Sequence, residues 1–241
     1  MGRYKLYVDG ADVGFGANVL LDGLWESWLT VFMARRVKAG MAVADVGANH
    51  GYYSLLFADL VGEQGRVAAI EPNPAVCHLL RRSLVLNGFS ARVTVLEAAA
   101  AAEEGHDVEL YAPPGESKNG RVVNWAGFGS GREHSVPVPA VRLSTALSRW
   151  DRLDFVKMDV EGAEQRAAEG LRPLLERDRP DFVLEYHPLR CPDPEALLGW
   201  LGQIYGRFRS IEFDGEAHPR RTSELLDGNR KEDWILYLSS R

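Results

Sequence analysis

Two cysteines, Cys77 and Cys191, are all that the 241 residues contain. They stand far apart and form no C-x-x-C pair, which excludes a disulfide framework and a cysteine-built zinc site. Both are expected as free thiols in a reducing compartment. The chain also lacks a basic excess: 28 Lys and Arg face 34 Asp and Glu, a net charge of −6. Binding duplex DNA or bulk RNA needs a positive surface, so no nucleic acid partner is expected. No apolar run approaches the roughly 18–20 residues of a membrane span. Met1, Gly2, Arg3, Tyr4 and Lys5 lack the apolar stretch of a secretory signal. Internal repeats, heptads and low-complexity tracts are missing too. The default expectation is a cytoplasmic enzyme with no membrane association. At 46% hydrophobic content the chain suits one α/β domain with modest additions.

One further absence is local, and it bears on the cofactor. In residues 43–54, Val43, Ala44 and Val46 supply an apolar strand, Gly47 and Gly51 permit a sharp turn, and Tyr52 opens a helix. Such a corner aims backbone N–H groups and a helix N-terminus at whatever lies above it. A dinucleotide fold wants G-x-G-x-x-G there, so that pyrophosphate meets bare backbone. Asn49 occupies the second glycine position and Tyr52 the third. G-x-N-x-G suits a cofactor with no phosphate to cradle, S-adenosylmethionine. Glu71 closes a second apolar run, residues 67–70, about twenty residues beyond the turn, where a carboxylate accepts hydrogen bonds from ribose hydroxyls. The charged methionine end would lie over the Gly47 to Gly51 turn. The alternative is an ordinary strand–turn–helix corner without a ligand.

A second chemical centre spans residues 153–164. Residues 155–158 read as a buried strand, Asp159 and Glu161 lie just past its carboxyl end, and Glu164 falls in the next helix. Ligands of open α/β sheets bind outside the carboxyl ends of the strands; capping of the following helix is the plainer role for these acids. The next strand, from Asp181, ends in Glu185, Tyr186 and His187, with Glu185 and His187 on one face. His187 suits a proton acceptor near neutral pH. Asp159, Glu185 and His187 would also make a divalent-cation set, but no ligand spacing demands one, and no metal is expected.

Around these centres the chain alternates strand and helix patterns. Residues 4–9 alternate like a short strand, followed by a loop marked by Gly10, Gly14 and Gly16. Residues 24–33 read as an amphipathic helix whose Trp25, Trp28 and Phe32 form either a core face or a flap over the cofactor, with Glu26 near the methionine amino group. Residues 1–40 are thus an extension and a lid candidate, and residues 41–241 the main domain. Pro74 opens a helix that stops at Asn87 and Gly88. A third strand covers 92–96, and the small residues from Ala98 either leave room for a flat adenine ring or simply pack. An edge strand is expected at 107–111. Residues 136–143 are expected to return to the sheet, with a short helix at 143–150. Between them, 112–135 is a long glycine- and proline-marked stretch in which Ser117, Lys118, Asn119, Asn124 and Trp125 either face a substrate or lie in an exposed loop. A helix at 194–205 and strands at 207–213 and 233–238, the last two read as a hairpin, close the chain. About seven strands with intervening helices make a doubly wound sheet carrying an antiparallel edge.

Taken in order, the motifs at 43–54, Glu71-Pro72-Asn73-Pro74, Asn87-Gly88, 155–164 and Leu184-Glu185-Tyr186-His187-Pro188 resemble the FkbM family of S-adenosylmethionine-dependent methyltransferases. The likeness covers about residues 41–188, with a weaker echo at Trp25-Glu26. It implies a class I methyltransferase fold, Rossmann-like, with a doubly wound sheet and an antiparallel C-terminal strand. It further implies O-methylation of a hydroxyl on a sugar or secondary metabolite, as in natural product biosynthesis. It places the Gly47 to Gly51 turn and Glu71 on the cofactor, and Asp159 toward the reacting groups. The candidate cofactor-binding residues are Glu26, Asp45, Gly47, Asn49, Gly51, Tyr52, Glu71, Asn73, Ala98 and Asp159. His187 is the candidate general base, with Asp159 or Glu161 orienting the acceptor hydroxyl. The other readings are an N-methyltransferase, an NAD-dependent oxidoreductase, against which Asn49 and Tyr52 speak, and a non-catalytic binding protein. The partner is a small-molecule acceptor. The tryptophans would serve a homodimer or a lid equally well.

Overall fold

The computed structural model describes residues 4–105, 107–117, 120–123 and 135–240. In chain order the elements are α1 (Phe15–Asp22), α2 (Ser27–Arg36), β1 (Ala42–Val46), α3 (Tyr52–Val61), β2 (Arg66–Ile70), α4 (Pro74–Leu86), β3 (Val93–Leu96), β4 (Ala99–Ala101), β5 (Asp107–Tyr111), β6 (Arg121–Val122), β7 (Ser135–Arg142), α5 (Leu143–Ala146), β8 (Phe155–Met158), α6 (Glu164–Asp178), β9 (Asp181–Tyr186), α7 (Pro194–Tyr205), β10 (Phe208–Ile211), β11 (Ala217–Arg220), α8 (Thr222–Leu225) and β12 (Trp234–Leu238).

The main sheet runs β11-β10-β12-β9-β8-β1-β2-β3. Strands β3, β2, β1, β8 and β9 pair in parallel, and β12 enters antiparallel between β9 and β10. β1 is buried along its whole length, as a central parallel strand covered on both faces must be. Its side chains alternate between two cores. Ala44 and Val46 join Met158 and the helix residues Leu171, Leu197 and Leu201 on one face, whereas Val43 joins Phe155, Phe32, Phe57 and Leu80 on the other. Seven strands match the expected count, and the short edge strand β11 adds an eighth. β10 and β12 are neighbours as expected, but β11 and α8 lie between them in the chain, so they are not a hairpin.

The second departure is a separate four-stranded sheet, β4-β7-β5-β6. Strands expected at 107–111 and 136–143 form here instead of extending the main sheet. Proline explains part of the arrangement: Pro137 and Pro139 oppose β5, whereas β4 pairs only with the proline-free Ala140, Val141 and Arg142. A proline cannot donate to a ladder, so it occupies the portion of β7 with a neighbour on one side only.

The N-terminal segment also differs. Residues 4–9 form no strand; Lys5 N–H donates to Asn87 Oδ1 and Tyr7 N–H to Ser83 Oγ, so α4 side chains engage amides that a ladder would have used. The glycine-marked loop gives way to α1, whose start is held by Asp12 Oδ1 accepting from the N–H groups of Gly14 and Phe15. α2 begins three residues later than expected, at Ser27. It buries Leu29, Phe32 and Met33 in the core, while Trp25 stays ahead of it. Asn73 caps α4, accepting from Ala75 N–H at 3.0 Å, and Asp193 caps α7 in the same way. No helix among the described residues is long and apolar enough to cross a membrane.

Candidate active site

A cavity of about 240 Å³ opens at the carboxyl ends of β1, β2, β8 and β9. Its floor is the corner after β1. Gly47 has φ 79°, and a Cβ there would stand 1.7 Å from the Asp159 carbonyl oxygen. Glycine is therefore required by the close approach of the loop after β8 as well as by the turn. Gly51 lies outside the cavity lining; its missing Cβ accommodates Leu80. Asn49 adopts the left-handed conformation that asparagine tolerates, φ 48°, and its Oδ1 accepts from His50 N–H at 2.8 Å.

Glu71, 8% exposed, is held by both carboxylate oxygens: Asn49 N–H donates to Oε2 and Asn73 N–H to Oε1, each at 2.9 Å. Each oxygen retains acceptor capacity toward the cavity, because a carboxylate oxygen carries two lone pairs. Burial pushes Glu71 up to about 7 against the pull of those two amides. Asn73 lines the cavity, yet its side chain caps α4, so only its backbone serves Glu71. Ala98 and Ala99 line the cavity as well.

Across the cavity stand Asp159, Glu161 and Glu185. Lys157, buried in the middle of β8, donates to Asp159 Oδ2 and to the Gly47 carbonyl at 3.2 Å each, and its Nζ lies 4.0 Å from Asp45 Oδ1. Asp45 is fully buried beneath the floor and accepts from Ser54 Oγ at 2.6 Å, so it supports the site without reaching the cavity. Burial alone would raise Asp159; the Lys157 ammonium and a hydrogen bond from Glu185 outweigh it and hold the group below the usual carboxylate range. Burial and the Asp159 charge push Glu185 well up. Its Oε2 is shut off from solvent and has no hydrogen-bond partner among the described residues.

Glu161 holds φ 52°, an uncommon conformation for a non-glycine residue. Burial and the Asp159 charge push its carboxyl up to about 8, opposed by Arg190, whose Nη1 lies 3.4 Å from Glu161 Oε2. Arg190 also pairs with Asp233. One oxygen each of Asp159, Glu161 and Glu185 lies within 4.8 Å of the others, a spacing that a divalent cation would also fit. The neutralising charge that the structure shows there comes from Lys157 and Arg190.

The N-terminal segment roofs the cavity. Phe15, Trp25 and Glu26 line it, with Phe15 packed on Trp25 at 5.1 Å between ring centroids. Glu26 takes φ 39° and accepts from Tyr53 Oη at 2.8 Å. Tyr52 Oη meets Thr30 Oγ1 at 3.3 Å, which ties α3 to α2. Trp28 packs on Phe213, and Phe32 is buried against Tyr237; neither lines the cavity.

Of the residues expected from sequence, the fold brings Glu26, Gly47, Asn49, Tyr52, Glu71, Asn73, Ala98, Asp159 and Glu161 to one cavity. His187 is not among them. Leu189 N–H donates to its Nδ1 at 3.2 Å and its Nε2 lies 3.3 Å from the Arg230 carbonyl oxygen, so the turn after β9 carries the ring away. Ser117 lines the cavity, whereas Lys118, Asn119, Asn124 and Trp125 lie outside the described residues. Sequence reasoning missed Lys157 and Arg190. Lys157 was visible as the one charge in an apolar strand; Arg190 had no local signal.

A strand order with β12 reversed, a glycine corner after β1 and an acid after β2 define a class I methyltransferase fold. Residues 45–209 match the methyltransferase FkbM domain, and the chain belongs to that family. It is 29% identical over 157 residues to methyltransferase sdnD of Sordaria araneosa, a match covering 54% of this chain and 60% of that protein. It is 27% identical over 127 residues to protein-L-isoaspartate O-methyltransferase 1 of Arabidopsis thaliana, covering 52% and 48%. Each match thus spans only about half to three-fifths of the relative's length. The structure of methyltransferase FkbM from Methylobacillus flagellatus superposes with a TM-score of 0.51 at 17% identity, covering 83% of this chain and 44% of that one. The TehB-like SAM-dependent methyltransferase of Corynebacterium glutamicum gives 0.51 at 9% identity, covering 94% and 95%.

Proposed function

We propose that the protein transfers the methyl group of S-adenosylmethionine to a hydroxyl of a small molecule, a sugar or a secondary metabolite of natural product biosynthesis. The observation that carries this is Glu71, fixed by the amides of Asn49 and Asn73 at the rim of a cavity whose far wall is acidic. Glu71 accepts the ribose hydroxyls, the Ala98 wall receives the adenine, and the methionine end lies over Gly47 with Glu26 near its amino group. An acid-rich cavity favours a donor that carries a sulfonium and an ammonium. A dinucleotide finds no bare-backbone cradle, because the Asn49 amide is engaged by Glu71.

Transfer needs the acceptor oxygen in line with the S–CH₃ bond and one proton removed. Glu161, at about 8, takes that proton in place of His187. The O–CH₃ bond forms as the S–CH₃ bond breaks, and neutral S-adenosylhomocysteine leaves. Asp159, already hydrogen-bonded by Glu185, accepts a hydrogen bond that orients the acceptor. The same wall serves an amine acceptor, which makes N-methylation the second reading. Phe15, Trp25 and Glu26 act as the lid that keeps water out, so the lid comprises α1 and residues 24–26 rather than all of α2. The net charge of −6 suits a small-molecule acceptor rather than a nucleic acid. The two free thiols suit a cytoplasmic setting. Methyl transfer from labelled S-adenosylmethionine across a panel of hydroxyl and amine acceptors tests the reading; wild-type protein that labels none of them contradicts it.

A further inference from the structure

We propose that Lys157 is a positioning residue of this site: its ammonium joins the Gly47 carbonyl, on the loop after β1, to the Asp159 carboxylate, on the loop after β8, and so sets the width of the cleft that admits the methionine end of the donor. The inference rests on reading the cavity as a methyl-donor site.

β1 and β8 are neighbours, with Val46 opposite Met158, and the last backbone bond between them runs from Asp159 N–H to the Val46 carbonyl at 3.0 Å. Beyond that bond Gly47 and Asp159 stay in backbone contact, and the loops that continue from them line the cavity. Nothing in a parallel ladder fixes how far they part. Lys157 lies two residues before Asp159, and its Nζ reaches both loops at 3.2 Å. The contact at Gly47 leaves no space for a side chain, so the loops are already at closest approach on the backbone side. An ammonium has three protons. Two serve the cavity loops, and Asp45, its register partner on β1, lies at 4.0 Å below. The Tyr53 ring closes the remaining side at 5.4 Å from Nζ to centroid. If Lys157 only balanced Asp45, its bonds to Gly47 and Asp159 would be dispensable. Gly47 and Asp159 both line the cavity.

The test separates these roles. Lys157→Met leaves Asp45 buried without its cation and is expected to unfold at lower temperature. Asp45→Asn combined with Lys157→Met removes both charges and should recover most of that loss. Calorimetric titration with S-adenosylhomocysteine is then compared between the double variant and wild type. A positioning role predicts binding weakened about tenfold or more in the double variant, with the KM for S-adenosylmethionine raised more than kcat is lowered. Affinity within about threefold of wild type overturns the proposal. Should the double variant not fold, Lys157→Gln is titrated instead, since its shorter neutral amide cannot bridge both loops; the same two outcomes decide. Wild-type protein that binds no S-adenosylhomocysteine overturns the donor-site reading itself, and the inference with it.

Discussion

Asp45 and Lys157 are register partners on adjacent parallel strands, and they form an ion pair closed to solvent, 4.0 Å between Nζ and Oδ1. A buried pair adds little against an apolar substitute, but breaking it strands a charge. Asp45→Ala should therefore cost about 3 kcal/mol in chemical denaturation. A loss under about 1 kcal/mol would mean that Asp159 alone satisfies the ammonium.

Glu161 and His187 make opposite predictions. Glu161→Gln should lower kcat by about a hundredfold or more while S-adenosylhomocysteine affinity stays within about threefold. The rate of wild type should rise through an apparent pKa near 8 as Glu161 ionises, and that limb should disappear in the variant. His187→Ala should keep turnover within about threefold, because among the described residues its ring nitrogens meet Leu189 N–H and the Arg230 carbonyl, away from the cavity. A large kcat loss in His187→Ala restores the histidine as base.

Glu71 gives the protein a pH signature. Its folded-state value, about 7, lies above the 4.5 of the free side chain. The folded state therefore holds a proton that the unfolded state has released. The stability this contributes is complete below pH 4.5 and is lost as the pH rises through about 7. The swing is on the order of 3 kcal/mol, and Glu161 adds a slope of the same sign. Thermal unfolding of the unliganded protein from pH 5 to 8 should show the decline, and Glu71→Gln should flatten part of it. S-adenosylhomocysteine binding runs the other way. Ribose hydroxyls donate to the ionised carboxylate, so affinity should tighten between pH 6 and 8. Affinity that weakens over that range contradicts the role given to Glu71.

Asn73→Ala separates capping from ligand contact. Loss of the cap on α4 should cost about 1 kcal/mol, or roughly 2–4 °C in Tm for a chain of this size. The backbone N–H to Glu71 survives the change, so S-adenosylhomocysteine affinity should hold. A tenfold loss of affinity at unchanged Tm would assign the side chain to the ligand instead.

How much of this was legible in sequence follows from distance along the chain. The corner after β1 and the acid after β2 are read from residues 43–71, because glycine conformation, apolar runs and one carboxylate spacing are local signals. Asp159 and Glu161 were legible as acids closing an apolar strand. What they do was not, because their charge states depend on Lys157, on Glu185 from the next strand and on Arg190 some 30 residues away. His187 lies just past the end of β9, and its ring meets Leu189 N–H and the Arg230 carbonyl instead of the cavity, partners that no local signal announces. The second sheet was hidden because β5 pairs with β7 across a long insertion, and only Pro137 and Pro139 hinted at a strand with a missing neighbour. α1 reads as loop because Gly14 and Gly16 stand at its start; the Asp12 side chain that accepts from Gly14 and Phe15 N–H there is a side-chain effect, which glycine counting overlooks.

The central claim is that this cavity seats an adenosine-bearing sulfonium donor with its ribose on Glu71. The most direct measurement is isothermal titration of the purified protein with S-adenosylhomocysteine, beside Glu71→Ala at matched Tm. The expected result is saturable one-site binding by wild type, weakened at least about tenfold in the variant. No heat of binding in wild type, or equal affinity in both proteins, would contradict it.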